Sequence, residues 1–399
     1  MCCLDLDTFF VSVERLLDPS LRGKPVVVGG SRWGRGVVTS ASYEARAFGV
    51  RSGMSIREAS EKAPADTVFV PGHGDEYSDY SNRAREIVER FSPVVVAASI
   101  DEHYLDFRGC ERLYRRPGDA DDDATILRVV REMTGAIDRE LGLPASAGIA
   151  TSKPMAKVAS GLAKPQGVLM VRAGTEAATL APLPVRKLPG IGPVAELRLS
   201  ALGIATLGQL VEAPEALLRP IFGAYTSSIR LSARGEGNDE LGRERPAFRE
   251  HDPRGVVAGT ISNERTFVEA NAETAPSILS GLCERVCSRA RKRDVVAGRV
   301  TLKLRYSDFH TITRARTIEP TNVDVELHRI VMELYREARD RPISIRLLGV
   351  QLAKLRLDAV QLPLFDAGQR RGIVVDRVRD KYGYDAVHLA STLSRRRRG

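Results

Sequence analysis

The sequence predicts an α/β chain of the α+β kind, divided into several domains, and three observations carry that prediction. At 399 residues the chain is too long for one ordinary domain, and roughly two to four are expected. Short valine-rich runs alternate with helical periodicity over residues 2–165. Beyond a polar, glycine-rich stretch at 235–252, the pattern becomes strand, helix, two strands, helix, strand.

A hydrophobic content of 43% is ordinary for a globular protein and permits a sizeable core. The net charge of +9 favours a polyanionic partner, either nucleic acid or an anionic membrane surface. No apolar run approaches the length of a membrane span, and no signal peptide is expected ahead of the first strand. The five cysteines, Cys2, Cys3, Cys110, Cys283 and Cys287, form no CxxC pair and have no His cluster nearby. They read as reduced thiols of a cytoplasmic protein rather than as a disulfide frame or zinc site.

Residues 2–7 read as a strand and 8–17 as a helix, with Phe9, Phe10, Val13, Leu16 and Leu17 at helical spacing. Asp7 is placed to cap that helix. Asp5 points to the other side of the bend, as a candidate metal ligand beside a helix N-terminus whose free amides and dipole attract phosphate. Glycine and proline turns fill 18–80 until a helix starts near Ser40 or Ser42. There Tyr43 and Arg46, three apart, share a face. Arg by a forked contact and Tyr by its hydroxyl suit a triphosphate tail. A solvated arginine beside a half-buried tyrosine explains the pair equally well.

A helix is expected over 76–91. The apolar run from Val94 to Ala98 then leads into Ser99-Ile100-Asp101-Glu102-His103-Tyr104-Leu105-Asp106-Phe107, read as strand, tight turn, strand. At a turn the strict alternation of a strand breaks, so Asp101 and Glu102 can aim at one point. Paired carboxylates suit a hard cation, Mg²⁺ above all. Taken alone, the stretch reads better as a polar turn. A helix over 122–140 and a strand over 145–149 follow. Ser152-Lys153-Pro154 opens a further helix that stops at Ala163-Lys164-Pro165, with Lys157 and Lys164 seven apart on one face. Lys164 also suits a helix C-terminus by charge alone.

Residues 184–212 read as a helix, a hairpin at Pro189-Gly190-Ile191-Gly192 and a second helix. Gly190 and Gly192 let backbone amides approach a nucleic-acid phosphate without a side chain in the way. Past the linker at 235–252, Arg299, Thr301, Lys303 and Arg305 alternate with Val300, Leu302, Leu304 and Tyr306, so one face is basic and the other apolar. Arg314, Arg316, Lys354 and Arg356 add charge nearby, and the open face is a plausible DNA-backbone contact. The tail, 358–399, carries Gln361-Leu362-Pro363-Leu364-Phe365 and ends in a run of arginines, read as mobile and able to add anion affinity.

In this order and at these spacings, five segments resemble the Y-family DNA polymerases, the translesion class, in their bacterial polymerase IV-like branch. They are residues 4–14, 42–50, 99–106, 163–167 and 189–192. The likeness runs to about residue 357. It implies a palm (1–10 and 75–165), fingers (11–74), a helix-hairpin-helix thumb (166–234), a linker (235–252) and a βαββαβ little finger (253–357). It further implies template-directed addition of a dNTP to a primer 3′ end, with two Mg²⁺ held by Asp5, Asp101 and Glu102 and the Leu6 carbonyl close by. Tyr43, Arg46 and Lys164 match positions that contact the triphosphate, and the amides at Phe9 and Phe10 lie beside it. Phe10 matches the steric gate against a ribose 2′-hydroxyl. Val37, Thr39 and Gly53 match small residues roofing the new base pair, which implies a permissive, error-prone enzyme. No stretch is left over for a proofreading exonuclease. Gln361, Leu362, Leu364 and Phe365 are similar to the peptide by which bacterial polymerases dock on the sliding clamp. His103 stands where many relatives carry a small residue, and is read as a packed neighbour. The expected partners are primer–template DNA, dNTPs and the clamp, for a monomer in the cytoplasm. Two other readings stand beside this one. A non-catalytic accessory protein of the same fold would not need all three carboxylates. A nucleotide cyclase-like enzyme would need neither hairpin nor basic domain.

Overall fold

The computed structural model describes residues 1–237, 241, 256–257, 259–270, 274–357 and 367–392. It divides into two units, Met1–Gly242 and Arg243–Gly399.

The first unit opens with β1 (Cys2–Leu6) running into α1 (Phe9–Leu17). A small sheet follows from β2 (Val26–Val28), β3 (Ser40–Ala41) and β4 (Val68–Val70), ordered β3-β2-β4. It carries α2 (Tyr43–Ala47) and α3 (Ile56–Lys62). Ser42 caps α2 by accepting from the Ala45 N–H, which fixes where this five-residue helix begins.

The chain then returns through α4 (Gly74–Glu89), β5 (Val94–Ala97), β6 (Glu102–Asp106), α5 (Glu111–Tyr114), α6 (Asp122–Leu141), β7 (Ala145–Ile149), α7 (Lys153–Ala163) and β8 (Val168–Met170). The resulting sheet has the order β5-β6-β1-β7-β8, so the first strand is central. Alternation along β1 sorts the core. Leu4 and Leu6 pack with Val129, Met133 and Ile137 of α6 on one face. Cys3 packs with Met155, Ala156 and Ala159 of α7 on the other. Asp5 falls on the Cys3 face. Gly148 lets α7 lie directly on β7, because a Cβ there would stand 2.1 Å from the Ala156 carbonyl oxygen.

The capping expectation for Asp7 is overturned. The residue at the N-cap of α1 is Thr8, in the left-handed region at φ 44°, and no side chain caps the helix. A missing cap costs about 1 kcal/mol. Phe9, Val11 and Val13 are buried from this helix, and each contributes roughly 1.5–3 kcal/mol, so packing holds it. Its first turn carries no acidic residue.

Short helices complete this unit: α8 (Glu176–Leu180), α9 (Pro193–Ser200), α10 (Leu207–Glu212), α11 (Glu215–Phe222) and α12 (Thr226–Ala233). The hairpin at 189–192 leads into α9 as expected. The element before it is a single 3-10 turn, Val185–Lys187, rather than a full helix.

In the second unit, β9 (Val256–Val257), β10 (Ile261–Ala270), β11 (Val295–Tyr306), β12 (Thr311–Thr321) and β13 (Ile345–Leu357) form an antiparallel sheet ordered β10-β13-β11-β12, with β9 paired to β13. Helices α13 (Ala275–Arg291) and α14 (Asp324–Ala338) cover one face, where Leu282, Val286, Leu327 and Val331 meet Val300, Leu302, Leu304 and Val350. In the tail, Ala367–Tyr382 forms α15. Arg291, nearly buried, joins Asp376 of this helix at 2.6 Å and Asp324 of α14 at 3.3 Å. Arg379, also buried, pairs with the buried Glu284 of α13. Residues 361–365 and the terminal arginines lie outside the described residues, as does most of the stretch 235–252.

Candidate active site

Register brings the acidic residues together. In the antiparallel pairing of β1 with β6, Asp5 stands directly opposite Glu102, so both side chains emerge on the α7 face. The Leu6 N–H donates to the Asp101 carbonyl at 2.9 Å, which ties the turn between β5 and β6 to the end of β1. Ser99 Oγ lies 2.5 Å from Asp101 Oδ1.

Two lysines of the α7 segment face this group. Lys164 Nζ contacts Asp5 and Lys157 Nζ contacts Glu102. Burial pushes the Asp5 carboxyl up, against the pull of Lys164. Burial lowers Lys157, but its bond to Glu102 outweighs that and leaves the ammonium above its ordinary value. Lys157 was visible in the sequence only as the partner of Lys164 on one face, and its pairing with Glu102 needs the tertiary fold. Among the described residues, no three carboxylate, His or Cys side chains are gathered into a ready-made metal cluster. The donor set nevertheless fits a hard cation, because Asp5, Asp101, Glu102 and the Leu6 carbonyl present only oxygen.

Asp7 is fully buried. Its Oδ2 accepts from Ser146 Oγ at 2.7 Å and from the Gln166 N–H at 2.8 Å, while Tyr43 donates to Oδ1 at 3.4 Å. Lys164 Nζ also lies 3.5 Å from Oδ1. Burial pushes the Tyr43 hydroxyl up to about 12, helped by the negative charge of Asp7. Arg46 stacks over the Tyr43 ring at 5.2 Å. Helix α2 therefore meets the main sheet beside Asp5, and its two polar side chains stand together.

Phe9 is buried and Phe10 half-buried. The Phe10 ring stacks on Tyr77 with centroids 4.2 Å apart and planes at 15°. The Tyr77 hydroxyl donates to the buried Glu14, which also takes His73 Nδ1 at 2.9 Å. Val37 is 53% exposed and bridges to Ser55. His103 sits opposite Leu4 on the far face of the sheet from Asp5 and Glu102, at 1% exposure. Burial holds its imidazole below the ordinary range.

A cleft of about 290 Å³ joins this centre to the glycine hairpin, lined by Asp5, Lys157, Arg186, Lys187, Gly190 and Ile191 among others. Gly190 has φ 96°, a conformation that glycine adopts without strain.

In the second unit, Arg299, Thr301, Lys303 and Arg305 emerge on the sheet face away from the helices. Opposite them stand Thr317, Ala315, Thr313 and Thr311 of β12, and Ala353, Gln351, Gly349 and Leu347 of β13. The face is thus three cations among mostly small side chains, with Lys303 also bonded to Glu264 at 2.8 Å. Arg314 and Arg316 do not join it. They stand opposite Leu302 and Val300, which turns them toward the helical side, and Arg316 pairs with Glu333 and Glu337 of α14. Alternation was read within one strand, while the face of β12 is set by its register against β11.

Comparison with known proteins bears on this arrangement. The family model described as impB/mucB/samB family matches residues 4–161, its C-terminal domain 259–364, and an IMS family HHH motif 174–204. DNA polymerase IV of Dehalococcoides mccartyi is 37% identical over 98% of this chain and 96% of its own length. That of Halorhodospira halophila is 38% identical over 91% of this chain and 97% of its own. Among solved structures, the Y-family DNA polymerase chimera Dbh-Dpo4(243-245)-Dbh superposes with a TM-score of 0.74 at 23% identity, over 89% of this chain and 99% of its own. The insertion ternary complex of Dbh DNA polymerase gives 0.62 at 24%, over the same shares. These two likenesses speak for the fold.

Proposed function

The chain belongs to the impB/mucB/samB family, and from that membership we propose that it is a DNA-directed DNA polymerase of the translesion class, extending a primer with dNTPs on a DNA template. The observation that carries the reading is the meeting of Asp5 and Glu102 across one strand pair, with Asp101 tied to the same strand end and Tyr43 and Lys164 alongside.

In this reading Asp5, Asp101 and Glu102, with the Leu6 carbonyl, hold two Mg²⁺. When bound, those ions supply acidification of the primer 3′-hydroxyl and neutralisation of the departing pyrophosphate. The protein's own groups position and bind. Tyr43, Arg46 and Lys164 take the triphosphate, and the first-turn amides of α1 at Phe9 and Phe10, free of intrahelical partners, take further phosphate oxygens. Phe10 fills the space of a ribose 2′-hydroxyl. Val37, Thr39 and Gly53 roof the nascent pair with little bulk, which makes the enzyme error-prone.

Residues 1–10 and 75–165 act as palm, 11–74 as fingers, 166–234 as thumb and 253–357 as little finger, joined through 235–252. The amides of Gly190 and Gly192 grip the DNA backbone near the catalytic centre, and Lys303 and Arg305 do so from the open sheet face. Arg314 and Arg316, expected in the same role, face the other side of the sheet, and Arg316 is paired there with Glu333 and Glu337. Gln361, Leu362, Leu364 and Phe365 engage a sliding clamp, and the enzyme works as a monomer in the cytoplasm.

Primer extension by the purified chain with Mg²⁺ tests the reading. Wild type should extend a primed template. Asp101→Ala should abolish extension while leaving the affinity for primed DNA largely intact, and an unchanged rate would remove Asp101 from the metal site. Wild type that binds primed DNA without extending it would be an accessory protein.

A further inference from the structure

Asp7 stands outside the acidic triad and is sealed from solvent. A buried carboxylate is costly unless its oxygens are satisfied. Here the satisfaction is lopsided. Oδ2 holds two short bonds, from Ser146 Oγ at 2.7 Å and the Gln166 N–H at 2.8 Å. The backbone behind it is fixed as well, since the Asp7 N–H donates to the Pro144 carbonyl at 2.8 Å and Ser12 Oγ to the Asp7 carbonyl at 2.7 Å. Among the described residues, Oδ1 has the Tyr43 hydroxyl at 3.4 Å and the Lys164 ammonium at 3.5 Å. The ammonium is drawn more closely to Asp5. A capping role is absent, because no side chain caps α1.

We propose that Asp7 is a positioning residue for the incoming nucleotide, which acts by holding the Tyr43 hydroxyl ready at the edge of the site. The inference rests on the polymerase reading. Tyr43 is 37% exposed on a helix of five residues, with Arg46 over its ring, and among the described residues its hydroxyl bonds Asp7. A carboxylate locked on one side and loosely bonded on the other orients that hydroxyl without competing strongly for it. The bond at 3.4 Å is long, beyond the ordinary O–H···O range, and a phosphate oxygen can take it over. Fixing a contact group in its bound orientation lowers the entropic cost of binding. Asp7 thus acts on nucleotide affinity and not on the chemical step.

Steady-state kinetics of single-nucleotide insertion test this with the full chain. Asp7→Asn should raise KM for the dNTP roughly three- to fivefold, less than the scale of one well-formed hydrogen bond to a charged group. Its kcat should stay within about twofold and its affinity for primer–template should not change. In a Tyr43→Phe background, which has no hydroxyl to hold, the same substitution should add less than about twofold. A KM effect of equal size in both backgrounds, or a fall in kcat at unchanged KM, would overturn the proposal. If Asp7→Asn does not fold, Ser146→Ala loosens the same carboxylate from behind. It should raise KM with Tyr43 present and not with Phe there, and an effect blind to residue 43 would equally overturn the proposal. Failure of the unaltered chain to extend any primer would instead remove the polymerase reading, and this proposal with it.

Discussion

At the scale of single residues, the aromatic pair Phe10 and Tyr77 shows how the proposed steric gate is held. Phe10 is not a free ring, because it lies flat against Tyr77, whose hydroxyl is fixed by Glu14. Removing the ring should therefore open space and leave the wall behind it standing. Phe10→Ala is expected to raise ribonucleotide incorporation by about tenfold or more, on the scale of a lost steric clash of 1–3 kcal/mol. Comparing rNTP and dNTP insertion checks it, and continued full exclusion would place the gate elsewhere. The meeting of Asp5 with Glu102 was only partly legible in the sequence, because 99–107 alone reads as a polar turn and only its order with the other segments pointed to a shared site. Asp7 was not. A cap is a local inference, while the true partners of Asp7 lie 139 and 159 residues away in Ser146 and Gln166.

At the scale of elements, α14 carries a pH-sensitive group. Burial holds His328 below its ordinary value of 6.5, and its Nε2 is buried without a hydrogen-bond partner among the described residues. An imidazole harder to protonate when folded leaves stability intact above 6.5. Stability is lost as pH falls from there through the depressed folded value, because the unfolded chain takes the proton first. Thermal unfolding should therefore shift down as pH falls from about 7.5 through the ordinary imidazole range, and His328→Gln should flatten that slope. A slope unaltered by the substitution would assign it to other groups. Elements differ in how openly the sequence announces them. The strand and helix order of the second unit follows periodicity closely. The turn before the glycine hairpin is too short to show a period, and the facing of Arg316 depends on a partner strand. The helix at 367–382 is highly charged, so no apolar stripe announces it. Ion pairs with Arg291 and Glu284 hold it instead.

At the scale of the whole molecule, two groups of cations stand out among the described residues against the net charge of +9. One is the cleft where Lys157, Arg186 and Lys187 lie beside the glycine hairpin, and the other is the open sheet face with Arg299, Lys303 and Arg305. Neither is a long positive run in the sequence. Both arise because strands and turns bring separated cations to one side. The clamp reading belongs at this scale as well. Deleting residues 361–365 is expected to abolish stimulation by a sliding clamp while basal synthesis continues, measured by product length with and without clamp. Stimulation that survives the deletion would move the contact to another surface.

The docking of α15 has a consequence for that contact. Strand β13 ends at Leu357 and α15 begins at Ala367, and both ends are secured to the same domain. Asp376 and Arg379 fasten α15 to α13 through Arg291 and Glu284, so the chain that follows β13 returns to the domain it has just left. A partner engaged by the proposed clamp peptide, which lies in the sequence between these two elements, would be held to the domain that offers the basic face. DNA on that face and a partner on that peptide would then be tethered to one domain, and each would raise the local concentration of the other without any new contact between them.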